Sequence, residues 1–184
     1  MNKLHVQKAI HVCKTGGIIA YPTEAVFGLG CIPIYEHSVR RILRLKRRSI
    51  RKGLILVAGK IDQLDEFVDF SKVKNLKTVF CSWPGPVTWL IPARQMTPAW
   101  LTGEYKTLAV RVSSYDLIKS LCAELGPIVS TSANPHNASP AKSTQRVRHY
   151  FPGDIDYVIP TKIVNNEKPS EIRDAQTGNI LRSS

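Results

Sequence analysis

Arg111 lies inside the apolar run LAVRV (108–112), and a cation there needs solvent or an anion, because an unpaired buried charge is very costly. Alternation sets Ala109, Arg111 and Ser113 on one face and Leu108, Val110 and Val112 on the other, which allows a polar face. The stretch STSAN (130–134) packs three hydroxyls and an amide into five residues directly after another apolar run. Such a cluster serves either as a turn cap or as a cradle for an anion. Thr23 follows Pro22 at the end of a third run, Ile18–Tyr21, where it either closes a turn or offers its hydroxyl to a ligand. From Arg40 to Lys52 stand eight basic residues and no acidic one, a pattern open to a solvated helix face, RNA or phosphate. The five histidines form no catalytic arrangement with Ser, Cys or Asp, so no side-chain nucleophile is expected. Cys13, Cys31, Cys81 and Cys122 are scattered without metal-ligand spacing and read as reduced, mostly buried residues, with no metal site.

These groups need a scaffold, and the hydrophobic periodicity predicts one. Residues 3–15 follow helical spacing and stop at Gly16-Gly17. Ile18–Tyr21 reads as a buried strand that Pro22 sends out of the sheet, with Gly28 and Gly30 letting the backbone turn or approach a ligand. Glu36–Lys46 is an amphipathic helix with Arg40, Arg41 and Arg44 on its polar side, and Gly53–Ala58 is a strand. Asp62–Phe70 looks helical, and a further helix falls within Val73–Trp83. Strands are expected at Val87–Pro92, Leu108–Val112 and Ile128–Ser130, the last running into a polar turn, Thr131–Pro135. Tyr115–Leu125 and Thr144–Tyr150 are helices, separated by a mobile Pro/Ser/Asn-rich loop over 134–143. Short strands at Tyr157–Pro160 and Ser170–Ala175 precede a turn at Gln176–Asn179 and a final strand. The pattern supports an α/β or α+β domain on one twisted sheet, spanning 1–184 as a single unit without repeat or linker.

Composition narrows the partners. A hydrophobic content of 43% suffices for a continuous core, and no run approaches the ~20 apolar residues that cross a bilayer. The N-terminal apolar residues are broken by Lys and His, so the expected location is the cytoplasm. Twenty-six Lys and Arg against fourteen Asp and Glu give +12, which favours nucleotide or nucleic-acid partners.

YPTEAVFGLG (21–30) resembles the YPTET-YGLG signature of the YrdC/TsaC family of threonylcarbamoyl-AMP synthases. LKRRSIRKGLIL (45–56), WPGPVTWLIPA (83–93), LAVRV, STSAN and PSEIRDAQTGNILR (169–182) resemble further segments of that family in the same order. The short length and the PSEIRDA ending are most similar to the bacterial TsaC branch. The resemblance implies a YrdC-like fold, a twisted mixed sheet with flanking helices and a basic concave face that carries the site. It implies that L-threonine, bicarbonate and ATP give threonylcarbamoyl-AMP and pyrophosphate, with Mg²⁺, for threonylcarbamoyladenosine in tRNA. Carried over residue by residue, it assigns Thr23, Arg111, Ser132 and Ser170 to threonine. It assigns Lys46 and Arg48, as a Lys-x-Arg motif, with Asn134 and Arg182 to ATP. Ser170 is alternatively a strand-entry residue and Arg182 part of a tail. Two departures stand out: LILVAG (54–59) lacks a His that longer members carry, and Phe27 replaces a Tyr. Partner proteins of tRNA modification and direct RNA binding are further expectations. The rival reading is a basic RNA-binding or ribosome maturation factor without catalysis, which would need neither STSAN nor the Arg in LAVRV.

Overall fold

The computed structural model describes residues 2–161 and 169–183. In chain order the elements are α1 (Lys3–Lys14), β1 (Ile19–Pro22), β2 (Phe27–Gly30), α2 (Glu36–Leu45), β3 (Ile55–Ala58), α3 (Leu76–Cys81), β4 (Val87–Pro92) and α4 (Ala99–Thr102). There follow β5 (Thr107–Val112), α5 (Asp116–Leu125), β6 (Ile128–Ser132), α6 (Thr144–Tyr150), β7 (Tyr157–Val158), β8 (Glu171–Asp174) and β9 (Ile180–Arg182). The strands form one mixed sheet in the order β7-β1-β2-β6-β3-β5-β4-β8-β9, with β1/β7, β3/β5 and β4/β8 parallel and the other neighbours antiparallel.

Strand alternation divides the apolar residues between two cores on opposite faces of this sheet. Ala20, Phe27, Leu29, Leu56, Val110 and Val129 point to one face, where Val39, Ile42 and Leu43 of α2 and Val147 of α6 cover them. Ile19, Tyr21, Val57 and Ile128 point to the other, covered by Ala9, Ile10 and Cys13 of α1 and Leu117, Ile118, Leu121 and Cys122 of α5. The residues of β4, β5 and β8 that share this second face are outside its core, and there the sheet is open.

Several expectations are corrected by tertiary contacts. Asp62–Phe70 is no continuous helix: it holds a 3-10 turn at Asp62–Leu64, and a second, Phe70–Lys72, begins at its last residue. Val68 instead forms a bridge to Ala93, and Asp69 N–H donates to Pro92 O at 2.8 Å, so pairing with the end of β4 overrides helical spacing. Gly28 and Gly30 are strand residues of β2 rather than turn formers. A Cβ on Gly30 would stand 2.8 Å from Tyr21 Cε1 and 2.9 Å from Val129 O, and one on Gly28 3.1 Å from Tyr21 Cζ. The missing side chains thus let the Tyr21 ring lie across β2, where its hydroxyl donates to Ser130 Oγ at 2.7 Å. The expected polar turn after Ser130 starts later, since β6 continues to Ser132, with Thr131 opposite Leu29 and Ser132 opposite Gly28. The loop after β6 is tied down by Ala133 N–H to Phe27 O at 2.7 Å and Phe27 N–H to Ala141 O at 2.8 Å. Helix α4 follows Pro98 and has four residues, too few for a periodic signal.

Helix α2 ends in a left-handed cap. Arg48 N–H returns to Leu43 O at 2.9 Å and Arg47 N–H to Arg44 O at 2.9 Å, with Arg47 at φ 50°. Glycine is the usual residue at this position because it lacks the Cβ penalty. The cap reverses the chain between Lys46 and Arg48, so the outer two cations of the KRR triplet serve different structures. Arg47 is exposed, and Arg47→Gly is expected to raise stability by about 0.5–1 kcal/mol in urea denaturation.

Candidate functional site

The open part of the second sheet face is the floor of a cavity of about 520 Å³. Register explains its composition. Ile55 lies opposite both Ser130 and Ala109, and Ala109 opposite Leu90, giving one row across four strands. Val57 lies opposite Arg111, which places the guanidinium on the same face one step further along. Thr88 of β4 pairs in register with Ile172 of β8, and both line the cavity. The walls come from the bend after β1, from Arg48 and residues 52–54, from Thr102 and Tyr105, and from Ser170 and Arg182. Arg48, Lys52, Arg111 and Arg182 are the cations of the lining and Glu24 its one carboxylate, among the described residues.

Arg111 is held at two points. Its Nε donates to Gly85 O at 2.8 Å and its Nη2 to Glu24 Oε1 at 2.5 Å, with both side chains 14% exposed. Ser113 Oγ donates to the same carboxylate oxygen at 3.2 Å. This answers the question that a mid-strand cation poses: Arg111 is only partly buried, and it is paired. Glu24 lies 87 residues away in sequence, so no local spacing could have connected the two.

The other expected residues divide into two groups. Thr23, Arg48, Arg111, Ser132, Ser170 and Arg182 line the cavity, whereas Lys46 and Asn134 are absent from its lining. Lys46 is 6% exposed, and its Nζ donates to Ser132 O, to Asn134 O at 2.8 Å and to Asn134 Oδ1 at 3.5 Å. Burial, reinforced by the Arg48 charge, lowers its pKa from 10.5 to about 8. Lys46 thus stands behind the cavity wall, its ammonium donating to the end of β6. Asn134 likewise turns its Nδ2 to Ala138 O at 2.7 Å and Pro135 O at 3.0 Å. Thr23 Oγ1 donates to Val26 O at 2.6 Å, so its proton closes the bend while the residue lines the cavity.

Arg48 donates from Nη2 to Gly53 O at 2.9 Å, and burial lowers its pKa, against a smaller opposing influence of Tyr105. Arg182 Nη2 donates to Ser170 O at 2.6 Å, and the Ser170 hydroxyl lies 3.0 Å from that of Thr88. Glu24, Thr88 and Tyr105 were not selected from sequence; only Glu24 carried a signal, as the acid beside Thr23 at a strand end. Of the remaining basic stretch, Arg41 is no free RNA contact: it grips Asp156 at 2.7 and 3.0 Å, and Asp156 also accepts from Ile18 N–H at 2.7 Å. Arg40 pairs with Glu36 one helical turn away, and Arg44 is exposed.

Cations and hydroxyls gathered around one part-buried ion pair line a cleft on the open mixed sheet of an α/β domain. The chain belongs to the Sua5/YciO/YrdC family, whose model, described as "Telomere recombination", matches residues 11–184. It is 45% identical over 177 residues to the threonylcarbamoyl-AMP synthase of Stutzerimonas stutzeri, covering 96% of each chain. Its identity to the enzyme of the same name from Hahella chejuensis is 45% over 183 residues, 99% of this chain and 100% of that one. Among solved structures it superposes on P. abyssi Sua5 complexed with L-threonine with a TM-score of 0.86 and 26% identity. That match covers 95% of this chain and 52% of the Sua5 chain, so the protein spans about half the length of that relative. E. coli YciO shares the fold, with a TM-score of 0.83 at 22% identity over 98% of this chain and 89% of that one.

Proposed function

We propose that the protein is a threonylcarbamoyl-AMP synthase, making threonylcarbamoyl-AMP and pyrophosphate from L-threonine, bicarbonate and ATP for tRNA modification. The observation that carries this reading is the ion-paired Arg111 on the floor of a cavity whose wall holds Arg48 and Arg182. The near full-length similarity to synthases of that name supports it over a non-catalytic RNA-binding role.

The amine of threonine and bicarbonate form a carbamate and water, and a carbamate oxygen then attacks the α-phosphorus of ATP as pyrophosphate leaves. No protein nucleophile is required. What the reaction needs is two anions held close, with their repulsion cancelled in a desolvated cleft. Arg111 takes the threonine carboxylate, and Ser132 and Ser170, which line the same cavity, serve the polar groups of the amino acid. Arg48 and Arg182 face the phosphates, where a planar fork matches the oxygens. Lys46 and Asn134 serve the site as a whole indirectly, by fixing the backbone that carries Ser132 in the cavity wall. A Mg²⁺ carried by the phosphates of ATP would supply charge neutralisation there, since such ions keep waters and take few protein ligands. Among the described residues no cluster of three or more His, Cys, Asp or Glu could hold a metal by itself. The mixed-anhydride product is reactive, so it passes to partner proteins of tRNA modification, which sets the work in the cytoplasm.

Incubation with ATP, bicarbonate and each amino acid in turn tests the reading. Pyrophosphate is expected with threonine and at most weakly with the others. Release that ignores the amino acid, or none with threonine, would contradict it.

A further inference from the structure

Glu24 does not resemble a mere structural counter-ion. It sits in the bend after β1, its carboxylate reaches Arg111 Nη2 at 2.5 Å, and both side chains line the cavity. An α-amino acid carries a carboxylate and an ammonium on one carbon, so the groups that recognise them must lie side by side and carry opposite charges. Arg111 and Glu24 have that arrangement, and Glu24 is the one carboxylate of the lining among the described residues. We propose that Glu24 binds the α-ammonium of the incoming amino acid while Arg111 binds its carboxylate, so that the pair reads the zwitterion. This inference rests on the reading of the cavity as an amino-acid site.

Two anchors make the arrangement workable. Arg111 is oriented by Gly85 O on its Nε, so it keeps its plane when Glu24 is shared with a ligand. A guanidinium has five donors, and the contacts to Gly85 and Glu24 leave capacity for a second carboxylate. Ser113 Oγ holds Glu24 from the side, at 3.2 Å, and keeps the carboxylate in place as the ammonium arrives. Before binding, each charge neutralises the other, which lets both sit in a site with little solvent.

The test compares two ligands on the full chain by calorimetric titration: L-threonine, and 3-hydroxybutanoate, which keeps the carboxylate and hydroxyl but has no ammonium. Glu24→Gln should weaken threonine about 10- to 100-fold, the loss of one charge-assisted contact. The same variant should bind 3-hydroxybutanoate as well as wild type or better, because no carboxylate then competes for Arg111. Glu24→Asp should restore part of the threonine affinity. If Glu24 only positions Arg111, both ligands weaken together in Glu24→Gln, and that result overturns the proposal while leaving the amino-acid site intact. Unchanged threonine affinity overturns it equally. A wild type that takes up neither ligand would sink the amino-acid reading itself, and this inference with it.

Discussion

Lys46→Met lowers the stability of the fold by about 2–4 kcal/mol, a cost expected when buried carbonyls lose a charged donor. Methionine keeps the length of the side chain and its packing but cannot donate to Ser132 O and Asn134 O, the two backbone acceptors that Lys46 satisfies. The end of β6 then loosens, and because Ser132 belongs to the cavity wall, threonine and ATP affinity fall together. Arg48→Met removes a cavity-lining cation instead and weakens ATP while leaving threonine near its wild-type affinity. The pH dependence has a definite sign. With a folded pKa of about 8 against 10.5 for an ordinary lysine, folding releases a proton between those values, so this group makes stability rise with pH across that window. Urea denaturation of wild type and Lys46→Met should therefore show a gap that widens from about pH 8 upward. A gap that stays constant through the window would place the ammonium in solvent rather than behind the cavity wall.

The second large effect is on substrate. Arg111→Ala should weaken threonine binding by about 2–5 kcal/mol, since the carboxylate of the ligand and that of Glu24 would then face each other without a cation in a desolvated pocket. ATP affinity measured without threonine stays near wild type, because Arg48 and Arg182 stand on other walls of the cavity. Thr23→Val makes the useful contrast. Its hydroxyl proton closes the bend onto Val26 O, so the loss appears as about 1 kcal/mol of stability rather than as a comparable loss of threonine affinity. Calorimetric titration of both variants with both ligands checks the ordering. Abolished ATP binding with intact threonine binding in Arg111→Ala would mean that the two ends of the site are reversed.

Much of the fold was legible because its signals are local. The alternation around Arg111 predicted the buried-and-lining pattern of β5, and helices α1, α2 and α5 follow their apolar spacing. What escaped depends on contacts distant in sequence. Val68 pairs with Ala93 and so cannot continue a helix, and the glycines of β2 make room for the ring of Tyr21. The site shows the same division. Arg111 announced itself as a cation needing an anion, yet its partner Glu24 could not be found by spacing. Lys46 and Arg48 read as one motif, while the left-handed Arg47 between them sends one ammonium into the wall and one guanidinium into the cavity.

Pyrophosphate release alone does not prove the central claim, because attack by the carboxylate of threonine itself would yield threonyl-AMP and the same leaving group. The carbon of bicarbonate separates the two reactions. The protein is incubated with ATP, L-threonine and ¹³C-bicarbonate, and the adenylate product is weighed by mass spectrometry. The account predicts a threonine adenylate that is heavier than threonyl-AMP by one CO2 unit and carries the ¹³C label. An unlabelled threonyl-AMP, or no adenylate at all while ATP and threonine both bind, would contradict it.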